Sequence, residues 1–284
     1  MECLNRYLFK MQQNSNFNCH PKCEKLNITN LCFADDLLLF SRGDKNSVDL
    51  MMAAYAKFSK ATGLVVNPQK CRIYLAGVDE KTKKDIRMAS DFQMGQLPFR
   101  YLGVPVTSKK LSIAQYSSLI DKIVEKVQHW TTRLLTYAGR LQLIKSVMFA
   151  TTNYWLNCFP FPKGVLKKIE TICHIFLWTG GFAGNRKSPV SWKQVCKPFG
   201  YGGLDIIDIE VLNNVNLMKL LWNLSGKEDS LWGRWIQAYY IKNRSLLDIE
   251  CTSNDSWIMK VILSQRDDLT TKGKLAGGCL VMID

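Results

Sequence analysis

The sequence predicts an α+β protein, and two observations carry this prediction. Residues 28–32 and 37–40 are apolar runs that are too short for a helix and suit paired strands. From Ser112 onward, apolar residues recur at helical spacing, and all eight tryptophans lie at position 130 or later. We therefore expect a first part that contains strands, followed by a mainly helical region.

The charge balance favours an anionic partner. The 284 residues carry 38 Lys and Arg against 24 Asp and Glu, for a net charge of +14. Residues 101–220 hold 15 basic and 6 acidic groups and so supply +9 of this charge. Such a balance most often accompanies nucleic-acid binding, with an acidic membrane surface as the alternative. Residues 101–220 are the expected contact region.

The cysteine pattern and the apolar pattern bear on localisation. Ten cysteines are scattered without the tight framework of a secreted disulfide protein. No signal peptide is evident, and no run approaches the roughly 18 apolar residues of a membrane span. We expect an intracellular protein of the nucleus or cytoplasm that is not secreted.

Local patterns predict the elements of the first part in order. Met1, Leu4, Leu8 and Met11 indicate a helix over residues 1–12 that has no start signal of its own. A second helix is expected to begin at Ser47 as N-cap and to end at Gly63. Short strands are predicted at 64–66 and 73–75, a charged helix at 82–90, and an extended segment at 97–105.

The second part is predicted to be a series of helices. Ser112 and Gln115 have the pattern of a capping box that opens the first of them. The remaining pattern predicts helices at about 138–155, 164–178 and 213–225, a long connector at 180–203, and a frayed end at 270–284.

Two groups of residues have the chemistry of a metal site. Asp35 and Asp36 lie between the two apolar runs, so we expect a β-hairpin with both carboxylates at its tip. Mg²⁺ prefers such hard oxygen ligands, although an Asp-Asp pair also occurs in turns for local reasons. Cys19, His20 and Cys23 are a weaker zinc candidate, because the fourth ligand is missing and incidental thiols in a loop explain them.

The order of several motifs resembles the reverse transcriptases of non-LTR (LINE-type) retrotransposons, in particular those of plants. Residues 33–36 resemble the catalytic aspartate motif, residues 62–71 the next palm motif with its closing lysine, and residues 101–105 the primer grip. Further matches to thumb and post-thumb segments lie at 130–133, 138–144, 176–178, 189–192 and 202–204. The resemblance extends to about residue 268, and its strength lies in motif order and spacing.

The resemblance implies a truncated polymerase palm at 1–106, a helical thumb-like region at 107–180, and a post-thumb connector and tail at 181–284. It implies that Asp35 and Asp36 are the paired metal-binding aspartates, with Asp35 the direct ligand of both Mg²⁺ (or Mn²⁺) ions. Lys70 would lie near the incoming triphosphate. The template–primer duplex would contact the primer-grip residues and the basic residues of the thumb-like region, namely Tyr101, Leu102, Gly103, Lys122, Lys126, Arg133, Arg140 and Lys145. Lys163, Lys167 and Lys168 are either part of this surface or a solvated helix face.

The sequence also departs from that family. Two-metal catalysis needs a third carboxylate from another strand, and the acidic residues before Asp35 are Glu2 and Glu24, neither in a strand-like context. Most of the fingers would precede Met1, which resembles an internal methionine of a longer ancestor. We therefore expect weak or no metal binding and no polymerisation by this chain alone, unless an upstream reverse transcriptase fragment completes the site in trans. The alternatives are a non-catalytic nucleic-acid-binding remnant and a functionless relic of a decayed element.

Overall fold

The computed structural model describes residues 2–90, 92–131, 135–181, 188–226, 229–242, 244–253, 255–271, 275–276 and 279–280. The chain is α+β, as predicted, and divides into two compact units. The first comprises Met1–Phe99 and Asp229–Lys242, and the second comprises Arg100–Glu228 and Asn243–Asp284. The domain boundaries predicted after residues 106 and 180 stay a prediction. Among the helices of the described residues, we find no candidate for a membrane-spanning segment.

The first unit contains short strands and four of the α-helices. The helices are α1 (Glu2–Gln12), α2 (Lys45–Thr62), α3 (Glu80–Ala89) and, from the later segment, α10 (Leu231–Ile236), which continues into a π-helical turn at Gln237–Ile241. The strands are β1 (Asn30–Phe33), β2 (Asp36–Leu39), β3 (Arg72–Ile73) and β4 (Gln93–Met94). β1 and β2 are antiparallel, and β3 and β4 are parallel.

The core of the first unit lies between α1 and α2. Leu4, Leu8 and Met11 of α1 are buried against residues of α2 that include Met51 and Phe58. Leu37 and Leu39 of β2 pack against the same cluster. Their period-2 spacing places one face of the hairpin on this core, so α1 and α2 position the tip that carries the aspartates.

Two local expectations for this unit are wrong. Helix α2 is capped by Asp44, whose carboxylate accepts hydrogen bonds from the backbone N and the hydroxyl of Ser47, each at 2.9 Å. Ser47 is instead buried within the first turn, where its Oγ accepts from the N of Asn18. Residues 64–66 form no strand, and Leu64 and Val65 are exposed, because neither finds a pairing strand or a core among the described residues.

The second unit opens with a hairpin and is otherwise mostly helical. Strand β5 (Phe99–Tyr101), whose first residue belongs to the first unit, pairs with β6 (Val104–Val106). The capping box of Ser112 and Gln115 is confirmed, and it opens a 3₁₀ turn that leads into the first helix. The helices are α4 (Ser117–Thr131), α5 (Tyr137–Leu143), α6 (Phe149–Leu156), α7 (Lys163–Thr179), α8 (Trp192–Val195), α9 (Ile209–Ser225) and α11 (Trp257–Thr271).

The core of this unit lies where α4, α6, α7 and α9 meet. Ile123 and Val127 of α4, Trp155 of α6 and Phe176 of α7 belong to one buried cluster. A π-helical turn at Ile144–Met148 joins α5 to α6, so the predicted helix at 138–155 is confirmed as nearly continuous. The frayed end predicted at 270–284 lies largely outside the described residues, which there comprise the last turn of α11 and the strands β7 (Leu275–Ala276) and β8 (Cys279–Leu280).

Candidate nucleic-acid site and paired aspartates

The paired aspartates lie at the turn of the β1–β2 hairpin, as predicted. The register pairs Phe33 with Asp36, so Ala34 and Asp35 form a two-residue turn and Asp36 opens β2. Ala34 takes a φ of 52°, a conformation that residues with a Cβ adopt rarely. The Nδ2 of Asn30 donates to the Oδ1 of Asn5 at 3.0 Å and ties β1 to α1. The hairpin is therefore short, sharply turned and anchored at its base.

Both carboxylates of the turn face solvent. Asp35 and Asp36 are exposed, and neither carboxylate has a hydrogen bond or ion pair with the rest of the described chain. Within the described ranges, no group of three or more His, Cys, Asp or Glu residues is placed to hold a metal ion. Among the described residues, the donor set therefore consists of two adjacent carboxylates, and these do not fit a two-metal centre because no third carboxylate joins them.

Lys70 lies in a tight turn after α2. Its backbone N donates to the carbonyl of Asn67 at 3.0 Å, and the side chain of Asn67 accepts from the N of Gln69 at 2.9 Å. The side chain of Lys70 is exposed and forms no ion pair with Asp35 or Asp36. The turn holds this lysine in place locally but does not join it to the carboxylates.

The predicted primer-grip residues form a second hairpin turn. Leu102 and Gly103 have φ values of 49° and 81°, and positive φ at both central positions is typical of a type I′ turn. The carbonyl of Leu102 accepts a hydrogen bond from the hydroxyl of Tyr154 on α6. Tyr101 is the last residue of β5. The hydrogen bond from Tyr154 therefore ties this turn to helix α6 of the second unit. The sequence predicts an extended segment at 97–105, and the structure shows two short strands joined by this turn.

Of the predicted phosphate-contacting residues that the structure describes in the second unit, Lys122 is exposed, whereas Lys126, Arg140 and Lys145 contact other groups of the protein. Lys122 on α4 is exposed, whereas the Nζ of Lys126 donates to the Oγ1 of Thr151 at 2.7 Å. Arg140 is half-buried, and its guanidinium donates to the carbonyl of Phe176 at 3.5 Å and lies 5.9 Å from the ring centre of Tyr137. Lys145 lies 4.9 Å from the ring centre of Phe199. Arg133 lies outside the described residues.

Helix α7 presents three lysines opposite its buried stripe. Lys163, Lys167 and Lys168 are exposed, while residues such as Val165 and Ile169 are buried. In this part of the structure the three side chains are free of ion pairs with carboxylates. They therefore account for three of the 15 basic residues behind the +9 of residues 101–220.

The Cys/His loop does not form a metal site among the described residues. The Nδ1 of His20 accepts a hydrogen bond from the N of Lys22 at 3.1 Å, which occupies one of its two ring nitrogens. Burial raises the pKa of the Cys19 and Cys23 thiols, which favours the protonated form over the metal-binding thiolate.

One exposed pair of aromatic side chains was missed by sequence reasoning. Residues 180–203 are predicted to be a connector, but Phe199 and Tyr201 form a short 3₁₀ turn there and are 64% and 77% exposed. The signal that could have found them is the order Lys197-Pro198-Phe199-Gly200-Tyr201, in which aromatic residues stand beside a lysine and a glycine.

The comparisons with known proteins agree with the hairpin geometry. Residues 3–106, which include the β1–β2 hairpin with Asp35 and Asp36, match the family model "Reverse transcriptase (RNA-dependent DNA polymerase)". This part of the chain is therefore similar to reverse transcriptases.

The similar curated proteins come from a plant. A putative ribonuclease H protein of Arabidopsis thaliana is 25% identical over 137 residues, which are 48% of this chain and 22% of that protein. An uncharacterized mitochondrial protein of the same plant is 24% identical over 123 residues, which are 43% of this chain and 79% of that protein. The chain thus spans about a fifth of the length of the first relative.

Proposed function

We propose that this chain is the palm and thumb part of a non-LTR retrotransposon reverse transcriptase, and that alone it holds a template–primer duplex without extending it. The observation that carries the proposal is the family match over residues 3–106 together with the exposed Asp35–Asp36 hairpin. Mg²⁺ or Mn²⁺ in the complete family would supply two-metal nucleotidyl transfer. In this chain, the two carboxylates contribute part of such a site.

The exposed basic residues of the second unit support duplex binding. Lys122 on α4 and the three lysines of α7 are exposed on a block of the chain with a large excess of positive charge. Lysine side chains that contact phosphates release condensed counterions, so affinity falls steeply as salt rises. Duplex recognition of this kind reads the backbone and needs no base contacts.

Salt-dependent binding tests this part of the proposal. A labelled RNA–DNA duplex is expected to bind the chain with a log–log salt slope that becomes shallower when Lys122, Lys163, Lys167 and Lys168 are changed to Gln. The change should be about one unit for each phosphate that no longer pairs with a lysine. The matched control changes Lys57 and Lys60, two exposed lysines of α2 in the other unit. A slope near zero for the unmodified chain contradicts duplex binding.

The free edges of the first hairpin support completion of the palm in trans. In the described chain, β1 and β2 form a two-stranded sheet, and Phe33 beside the aspartates is 61% exposed. An unpaired strand edge is a template for another strand. We therefore propose that an upstream reverse transcriptase polypeptide supplies the adjoining strand and the third carboxylate. Primer extension that needs both polypeptides and is lost in Asp35→Asn is the expected result, and no extension by the mixture contradicts this part.

A further inference from the structure

We propose that the loop at residues 197–202 is a stacking site for the bases of single-stranded nucleic acid, with Phe199 and Tyr201 as the platforms and Lys145 and Lys197 as the phosphate-contacting cations. This inference deepens the proposed nucleic-acid binding, on which it rests, by naming a second class of ligand, an unpaired strand. It concerns residues that lie outside the segment matched to the reverse transcriptase family.

The accessibility of the two rings is the first observation. Phe199 and Tyr201 are 64% and 77% exposed, although most aromatic residues of this unit are buried or half-buried in its core. Gly200 separates them, and a Cβ at that position would meet open space. Both rings are therefore accessible to a ligand, and the residue between them in the sequence carries no side chain.

The loop is rigidly built at its base. The N of Leu204 donates to the carbonyl of Val195 at 2.8 Å, and the N of Asp205 donates to the carbonyl of Lys197 at 2.9 Å. A Cβ on Gly203 would lie 1.8 Å from the Lys197 carbonyl oxygen, so glycine is required for this close approach. The Nε2 of Gln194 also donates to the carbonyl of Tyr201 at 3.3 Å. Exposed rings on a fixed base lose little conformational entropy on binding.

The positive charge near the two rings favours a nucleic-acid ligand over a protein partner. The Nζ of Lys145 lies 4.9 Å from the centre of the Phe199 ring, and Lys197 is exposed two residues before that ring. Both lysines are free of ion pairs with the described carboxylates. An aromatic platform flanked by unneutralised cations matches a strand whose bases stack while its phosphates pair with lysines. Burial of the cations against an apolar protein surface would carry a desolvation penalty.

The test measures the binding of labelled oligo(dT) and oligo(U), each about 4–16 nucleotides long, as is usual for single-strand binding sites. The binding of an RNA–DNA duplex of equal length is measured in parallel. The variant is Phe199→Ala with Tyr201→Ala. Its affinity for both single strands is expected to fall by about tenfold or more, which corresponds to about 1.4 kcal/mol, because the variant has lost both rings on which bases would stack. Its duplex affinity is expected to remain unchanged.

Two controls separate stacking from a structural effect. Phe9→Ala removes a ring of similar exposure, 61%, from α1 and should change neither affinity. Phe199→Trp with Tyr201→Phe keeps two π-faces and should retain single-strand binding. Loss of binding in this conservative variant, with an unchanged circular dichroism melting curve, would contradict a stacking role.

The remaining outcomes distinguish this inference from the proposed function. Duplex binding without single-strand binding by the unmodified chain overturns the stacking site and leaves the proposed function standing. Single-strand binding without duplex binding overturns the proposed duplex binding and leaves the stacking site standing. An unchanged single-strand affinity in the double alanine variant overturns the stacking site and points to a protein partner for the rings.

Discussion

Single side chains bridge distant segments of the helical unit. The Oδ1 of Asn213 on α9 accepts a hydrogen bond from the backbone N of Phe161 at 2.8 Å, and Asn213 is buried at 8% exposure. Phe161 in turn packs edge-on against Tyr116, whose hydroxyl donates to the carbonyl of Pro160. The side-chain amide of Asn213 thereby joins helix α9 to the segment that directly precedes α7.

Removing the Asn213 amide should destabilise the protein. Asn213→Leu keeps a comparable volume but leaves the N–H of Phe161 unpaired in the core, which costs about 1–3 kcal/mol. We expect a lower urea midpoint with an unchanged slope. Asn216→Leu, one turn along α9 and less buried, is the control and should cost less. Equal stability of Asn213→Leu and the unmodified chain would argue against the bridging role.

Glu170 gives the stability a pH dependence. Burial raises the pKa of this carboxyl from its ordinary value of 4.5, and the neighbouring carboxylates of Asp208 and Glu210 raise it further, against the lowering effect of Lys193 and Lys167. The native state then binds the proton more tightly than the unfolded state. Stability contributed by the protonated form is full below the ordinary pKa of 4.5 and is lost as the pH rises through the raised pKa.

Glu170→Gln should therefore raise the melting temperature at neutral pH and leave it nearly unchanged at a pH below the ordinary pKa of the carboxyl. The amide carries no charge at either pH, so the desolvation penalty of the carboxylate disappears where that carboxylate is ionised. Glu125→Gln, at an exposed position of α4, is the control. A lower melting temperature of Glu170→Gln at neutral pH would show that attraction to the two lysines outweighs burial.

At the scale of elements, a late segment of the chain completes the first unit. The Nε1 of Trp235 donates to the carbonyl of Lys22 at 2.6 Å, and the hydroxyl of Tyr239 accepts from the backbone N of Lys25 at 3.0 Å. The Nζ of Lys25 donates to the carbonyl of Ala238 and lies 5.2 Å from the Tyr239 ring centre. These bonds join residues more than two hundred positions apart, so α10 and the turn after it hold the loop that precedes β1.

Loss of Trp235 should loosen that loop. Trp235→Phe removes one hydrogen bond, worth about 1 kcal/mol, and Trp235→Ala also removes the ring that packs on Tyr239 and Tyr240. We expect faster proteolysis at Lys22 and Lys25 in the order Ala, Phe, unmodified. Trp222→Ala, an exposed ring on α9, serves as the control. Identical cleavage rates in all variants would contradict the role of this segment.

Several of these elements could be predicted from the sequence, and some of their contacts could not. Helices α1, α4, α7 and α9 follow from local apolar periodicity, and the first hairpin follows from two short apolar runs around a turn. The pattern favours Ser47 as the cap of α2 although Asp44 caps it, because both residues suit an N-cap and only the backbone geometry separates them. The bond between Trp235 and Lys22 was beyond prediction, since no local pattern encodes a pairing over that separation.

For the candidate site, the sequence motifs correctly predict a turn at Asp35 and Asp36, and they single out Lys70, which lies in a turn after α2. The motifs do not predict that Phe199 and Tyr201 are exposed. Motif spacing identifies residue types that share a chemistry, which is why the paired aspartates were found. Exposure depends on what the tertiary packing leaves uncovered, and the connector around Phe199 has no periodicity from which to read it.

At the scale of the whole molecule, a segment similar to reverse transcriptases and a basic helical region occur in one chain. Residues 3–106 match the reverse transcriptase family, and the described residues bring no third metal ligand to Asp35 and Asp36. Residues 101–220 carry the excess positive charge. We therefore expect binding of a template–primer duplex to be separable from nucleotidyl transfer in this chain.

Primer extension by the purified chain tests this claim most directly. The reaction contains an RNA template with an annealed DNA primer, all four deoxynucleotides, and Mg²⁺ or Mn²⁺, at a salt concentration where duplex binding has been measured. We predict a bound duplex and no extension, with the same result for Asp35→Ala. Extension by the unmodified chain that Asp35→Ala abolishes would contradict the separation of binding from catalysis.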